Sequence, residues 1–156
     1  MTVLVRPASP SDLDALTGLF EGYLAFYDVE VARPRAHAYL AGHLEDGTAS
    51  VLVGALAEDP GTLVGFAQSY PTWDSLALAP RWILHDLFVA PSARRHGVGR
   101  ALLRAVIAAA TAAGAAGVSL ETANDNLGAQ GLYESEGFEH DRVYRTYVHD
   151  LGGGAS

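Results

Sequence analysis

A chain of 156 residues is the usual size of one domain and can bury a single sizeable core. Ten Lys and Arg against 18 Asp and Glu give a formal charge of −8, which repels nucleic-acid phosphate and argues against a broad DNA or RNA face. There is no cysteine, which excludes disulfides, cysteine-ligated zinc and a thiol nucleophile, and which fits a cytoplasmic setting.

The opening MTVLVRPASP lacks the basic start and long apolar middle of a secretory leader, and 2–7 reads as a first strand. Ser9, Pro10 and Asp12 then form a capping-box arrangement. Apolar residues at Leu13, Leu16, Leu19, Phe20, Tyr23, Leu24 and Tyr27 follow at helical spacing. A second helix is predicted over about 34–46, with Leu40 and Leu44 inward.

The period then changes to two. Residues 49–58, a DPG turn at 59–61 and residues 62–70 read as a β-hairpin, with 69–75 (SYPTWDS) as a loop. Residues 81–89 are a strand and 97–114 a long helix with Val98, Leu102, Val106, Ile107 and Ala110 on one face. A strand at 117–123, a helix at 126–137 closed by Gly137, and one or two strands in 138–150 complete the chain. GGGAS (152–156) reads as a disordered tail after a domain covering 1–151. The order predicts an α/β sandwich on a mixed sheet. No apolar stretch approaches the roughly 18–20 residues of a membrane span, and no metal-ligand spacing occurs.

APSARRHGVGRALL (90–103) joins a strand to a helix. Glycines admit close approach to the backbone, and the helix opening offers free N–H groups to an anion. Leu102 stands where a Rossmann fingerprint needs glycine, and the Walker GK[ST] ending is absent. On the glycines alone, a phosphate grip and an arginine-rich turn remain equally open.

Two motifs together decide between them. R-x-x-G-x-G at 94–99, and N-x-x-A-x-x-L-Y-x-x-x-G-F at 126–138, resemble the GNAT (Gcn5-related N-acetyltransferase) superfamily, and the element order is similar to that fold. The resemblance spans roughly residues 3–149 and is nearest to the small amine acetyltransferases. It implies a GNAT fold, with a mixed, mostly antiparallel sheet flanked by helices, and acetyl-CoA as acetyl donor. Arg94, Arg95, His96, Gly97, Val98, Gly99 and Arg100 would cradle the pyrophosphate, with Arg104 one turn beyond Arg100. The family often has glycine where this chain has Arg95, so a backbone contact there requires Arg95 to keep a negative φ. Leu87, Phe88 and Val89 would pair with pantetheine through their backbone. Asn126 would touch pantetheine, and it is also a good helix N-cap. Tyr133 would protonate the departing thiolate.

A base must deprotonate the acceptor amine. Relatives commonly carry glutamate where LHDLFV has His85; Asp86 and Glu121 are the other candidates. Successive residues of a regular strand face opposite ways, so His85 and Asp86 are not expected to share one pocket. The resemblance places the acceptor near 21–40, where Tyr23, Phe26, Tyr27 and Asp28 suggest an aromatic, acidic pocket for a cation, with Trp73 on its rim. Tyr23 and Tyr27 also fit a plain core stripe. The expected activity is direct acetyl transfer to a primary amine of a small molecule or peptide, by a homodimer. The alternatives are an acyl-CoA-binding regulatory module, or an acyltransferase with another acyl chain or acceptor.

Overall fold

A computed structural model describes residues 2–155; Met1 of the expected domain and Ser156 of the expected tail lie outside the described residues. The chain divides into two compact units, 1–121 and 122–156.

Among the described residues the first unit holds five strands and three α-helices: β1 Val3–Pro7, α1 Leu13–Phe26, α2 Arg33–Asp46, β2 Ser50–Leu56, β3 Asp59–Asp74, β4 Ala79–Val89, α3 Val98–Ala112 and β5 Val118–Leu120. The sheet order is β1-β2-β3-β4-β5. All neighbours are antiparallel except β4 and β5, which run parallel. This is the mixed α/β sheet that the element order predicts, mostly antiparallel as the resemblance implies.

α1 begins where the cap motif says it should. A 3₁₀ turn, Pro10–Asp12, precedes it, and the Asp12 carboxylate accepts the Ser9 N–H at 2.8 Å. The same carboxylate takes both guanidinium nitrogens of Arg6, at 2.7 and 2.8 Å, and so ties β1 to the helix start. α2 stops at Gly47, whose φ of +66° suits glycine.

Alternation along the strands assigns the two faces of the sheet. Val51, Val53, Phe66 and Phe88 meet Leu16 and Phe20 of α1 and Ala36 and Leu40 of α2 in one buried cluster. The intervening positions face α3. A Cβ at Gly65 would stand 2.9 Å from the Phe88 carbonyl oxygen and 3.1 Å from both Val98 and Leu102. Glycine at this point lets α3 sit directly on the sheet. Val98, Leu102, Leu103, Val106 and Ala110 of α3 are buried, which is the stripe the periodicity predicts with Leu103 in place of Ile107.

Three strand expectations need correction. The β2–β3 hairpin turns at 57–58, not at DPG. Leu56 pairs with Asp59 and Ala55 with Leu63, so 60–62 bulge from the ladder, which suits a proline that cannot donate. SYPTWDS is not a loop: its residues 69–74 continue β3 and pair with β4 as far as Asp74 opposite Ala79.

The second unit contains α4, Leu127–Ser135, closed by Gly137 at φ +90°. No strand forms in 138–150. Part of the reason is local: the Asp141 carboxylate captures the N–H groups of Val143 (2.8 Å) and Tyr144 (3.2 Å), which bends the backbone away from a ladder. Among the described residues no helix is long and apolar enough to cross a membrane.

Candidate active site

The centre of the first unit's site is an irregularity in the β3–β4 ladder. Gln68 pairs with Asp86, but Ser69 pairs with Leu84. His85 is therefore an extra residue, a β-bulge that re-aims its side chain. The result departs from the regular-strand expectation. His85 and Asp86 line the same pocket, of about 360 Å³, together with Tyr39 from α2 and Tyr70 from β3. Asp86 is buried on the α1/α2 side of the sheet, in register with Phe66 and Phe88, while His85 is exposed.

Each polar group in this pocket is oriented by another. Gln68 is fully buried; its Nε2 donates to the Asp86 carboxylate at 2.9 Å and to the Tyr70 hydroxyl at 2.7 Å. The Tyr23 hydroxyl also donates to Asp86. Burial, and then this bond to an anion, push the Tyr23 phenol well above its ordinary range. Burial likewise raises Tyr70, whose hydroxyl lies 3.1 Å from that of Tyr39. Both therefore stay neutral phenols at physiological pH. The His85 ring meets Tyr70 edge-on at 5.3 Å between centroids, and His43 meets Tyr39 and Tyr70 from behind.

The open edge of β4 continues from this pocket. The parallel ladder with β5 covers only Trp82–Leu84 against Val118–Leu120, so Leu87, Phe88 and Val89 extend past its end. The Val89 carbonyl accepts the Arg94 Nε at 3.2 Å, and the Arg94 guanidinium stands 5.9 Å above the Phe88 ring. Glu121 is exposed, directly after β5.

The loop then turns into α3. Its first intrahelical bond runs from the Ala101 N–H to the Gly97 carbonyl at 3.0 Å, so the N–H groups of Val98 and Gly99 precede the ladder. Gly97 caps the helix at φ +79° with no atom within 4 Å of where a Cβ would stand. Such an opening, with Arg94, Arg95 and His96 beside it, has the shape and charge that suit a pyrophosphate. Arg95 does not keep a negative φ: it stands at +68°, in the left-handed region that favours glycine.

In the second unit Asn126 caps α4, its side-chain oxygen accepting the Ala129 N–H at 3.2 Å. Tyr133 lies on the same helix, half-buried, with its ring 6.0 Å from that of Phe138.

Of the residues expected around the acceptor, only Tyr23 reaches the polar cluster, and its ring packs on Phe20, Phe66 and Phe88 as a core residue does. Phe26, Tyr27, Asp28 and Trp73 are exposed and are not among the pocket's lining residues. Gln68, Tyr39 and His43 were missed. The available signal for Gln68 was its alternation with Phe66 and Tyr70, which puts an amide on an inward strand face.

The chain matches the Acetyltransferase (GNAT) family over residues 16–138. It is 38% identical over 143 residues to a Bacillus subtilis (strain 168) protein described as an uncharacterized N-acetyltransferase, YhfO, covering 92% of this chain and 94% of that one. It is 31% identical to the D-amino-acid N-acetyltransferase HPA3 of Saccharomyces cerevisiae, over 90% of this chain and 88% of the relative. A solved structure described as "a probable acetyltransferase" superposes with a TM-score of 0.89 at 32% identity, covering 99% of this chain and 100% of that one. With its fold, its glycine turn and these relatives in agreement, the chain belongs to the GNAT acetyltransferase family.

Proposed function

We propose that the chain moves the acetyl group of acetyl-CoA directly to a primary amine while both substrates are bound. The observation that carries this reading is the bulge that sets His85 beside Asp86, in a pocket next to the open edge of β4. The donor is acetyl-CoA. Its pyrophosphate is held by the turn from Arg94 to Arg100 through backbone amides other than that of Arg95, and its pantetheine by the backbone of Leu87, Phe88 and Val89 and by Asn126. The left-handed Gly97 and the N–H groups that precede the α3 ladder support this assignment.

The chemistry balances with two protein groups. His85, directly or through water, takes a proton from the acceptor ammonium, because a protonated amine has no lone pair for attack. The amine nitrogen forms a bond to the thioester carbon, and the carbon–sulfur bond breaks. Tyr133, assigned from its motif position, gives the thiolate its proton, and the second proton, lost by the attacking nitrogen as the amide forms, passes through solvent to restore the Tyr133 phenol. No cysteine or serine elbow offers a covalent acyl carrier, which favours a ternary complex over an acyl-enzyme.

A homodimer is part of the proposal. The C-terminal segment leaves Val143, Tyr144, Tyr147, Val148 and Leu151 strongly exposed, which supports a self-association surface. The cysteine-free sequence supports a cytoplasmic setting.

Initial rates with both substrates varied test the mechanism. Intersecting double-reciprocal lines are expected; parallel lines would show a covalent intermediate. In the same assay His85→Ala is expected to abolish the alkaline rise of the pH–rate profile. Tyr133→Phe is expected to lower kcat by about 10²-fold or more. Full activity of Tyr133→Phe at every pH would remove Tyr133 from the mechanism.

A further inference from the structure

The acceptor pocket carries a charge pattern that selects among amines. Its lining is Tyr39, Tyr70, His85 and Asp86, with no arginine or lysine. Asp86 accepts from Gln68 and Tyr23 and forms no ion pair among the described residues. Two neutral donors satisfy some of its lone pairs but leave its charge uncompensated, which is costly for a buried group. The Gln68 Oε1 beside it is buried and has no donor. Around these acceptors stand the rings of Tyr39, Tyr70 and His85, backed by His43, and π-faces attract cations.

Resting on the catalytic reading above, we propose that this pocket takes a small cationic amine with no carboxylate on the carbon that bears the amino group. The ammonium sits on Asp86, against the aromatic wall, and His85 beside it takes the proton before attack. Gln68 is the positioning residue, since one amide holds both Asp86 and the Tyr70 hydroxyl. An α-carboxylate would lie near Asp86, with no arginine or lysine in the lining to receive it. The site would then oppose the amino-acid acceptors named for the yeast relative.

Matched acceptors test this directly: tyramine against D- and L-tyrosine, and 1,5-diaminopentane against D- and L-lysine. The readout is acetyl-CoA-dependent thiol release by the full-length protein. The decarboxylated member is expected to show at least tenfold higher kcat/KM in each pair. The tyrosine methyl ester, its carboxylate neutralised, is expected to recover most of the difference. Asp86→Asn is expected to lower kcat/KM for tyramine at least tenfold and to narrow the tyramine–tyrosine gap. If that variant does not fold, the wild-type pairs decide alone. Equal or higher kcat/KM for the amino acids would overturn the acceptor class and leave the acetyltransferase reading standing. Thiol release with none of these acceptors, nor with any other amine, would overturn both.

Discussion

Arg95 sits where an L-residue is strained. At φ +68° its Cβ crowds its own backbone, at a cost on the order of 1 kcal/mol. Its side chain is exposed, so relief of that strain should dominate any substitution. Arg95→Gly is expected to stabilise the fold by about 0.5–1 kcal/mol, a rise of about 1–4 °C in the thermal midpoint. A lowered midpoint would show that the arginine side chain contributes more than its backbone costs. Asp12 is the opposite case. The bidentate Arg6, and after it the Ser9 N–H, hold its carboxyl well below the usual carboxylate range. A depressed folded pKa gives stability that is complete above the unfolded value near ~4 and is lost as pH falls through the folded value. Asp12→Ala should therefore cost about 1–2 kcal/mol at neutral pH, with Arg6 half-exposed and partly screened by solvent. Its deficit against the natural protein should shrink below about pH 4 in urea melts. A constant deficit from pH 7 to pH 2 would contradict this.

Single elements show what a sequence carries and what it does not. The two inner faces of β2 and β3 were legible, because residues with a period of two must face opposite ways. The stripe of α3 was legible for the same kind of reason at a period of 3.6. The β4 bulge was not. One extra residue leaves no mark in composition, yet it decides that His85 and Asp86 share a pocket. Tyr39 was missed because it lies a helical step from Leu40, off the inward stripe; it joins the site only because β3 presents Tyr70 to it. The alternation of 138–150 misled, since a pattern shows that a segment can form a strand and does not supply the neighbour. Helix-to-sheet contact makes its own prediction. Gly65→Ala forces a Cβ against a backbone oxygen and two α3 side chains, and is expected to destabilise by about 1–3 kcal/mol in chemical denaturation. No measurable loss would mean that α3 does not rest on the sheet at this point.

At the scale of the whole molecule, an acidic protein keeps its scarce positive charge where an anionic donor would need it. Of ten Lys and Arg, Arg94, Arg95, Arg100 and Arg104 cluster at the turn into α3, while the pocket beside the β4 bulge is lined by the buried carboxylate of Asp86. In the proposed reaction the two ends suit two substrates of opposite charge. In the proposed dimer, the exposed apolar C-terminal segment would make association sensitive to charge there. Tyr147→Asp together with Val148→Asp is expected to give a monomer by light scattering, whereas a monomeric natural protein would remove the dimer from the account. The central claim meets its most direct test in a product analysis. Purified protein is incubated with acetyl-CoA and a panel of primary amines, and free CoA and acetylated amine are quantified together. Equal amounts of both, dependent on enzyme and on amine, are expected. Tight binding of CoA with no acetylated product from any amine would contradict it and leave a binding module instead.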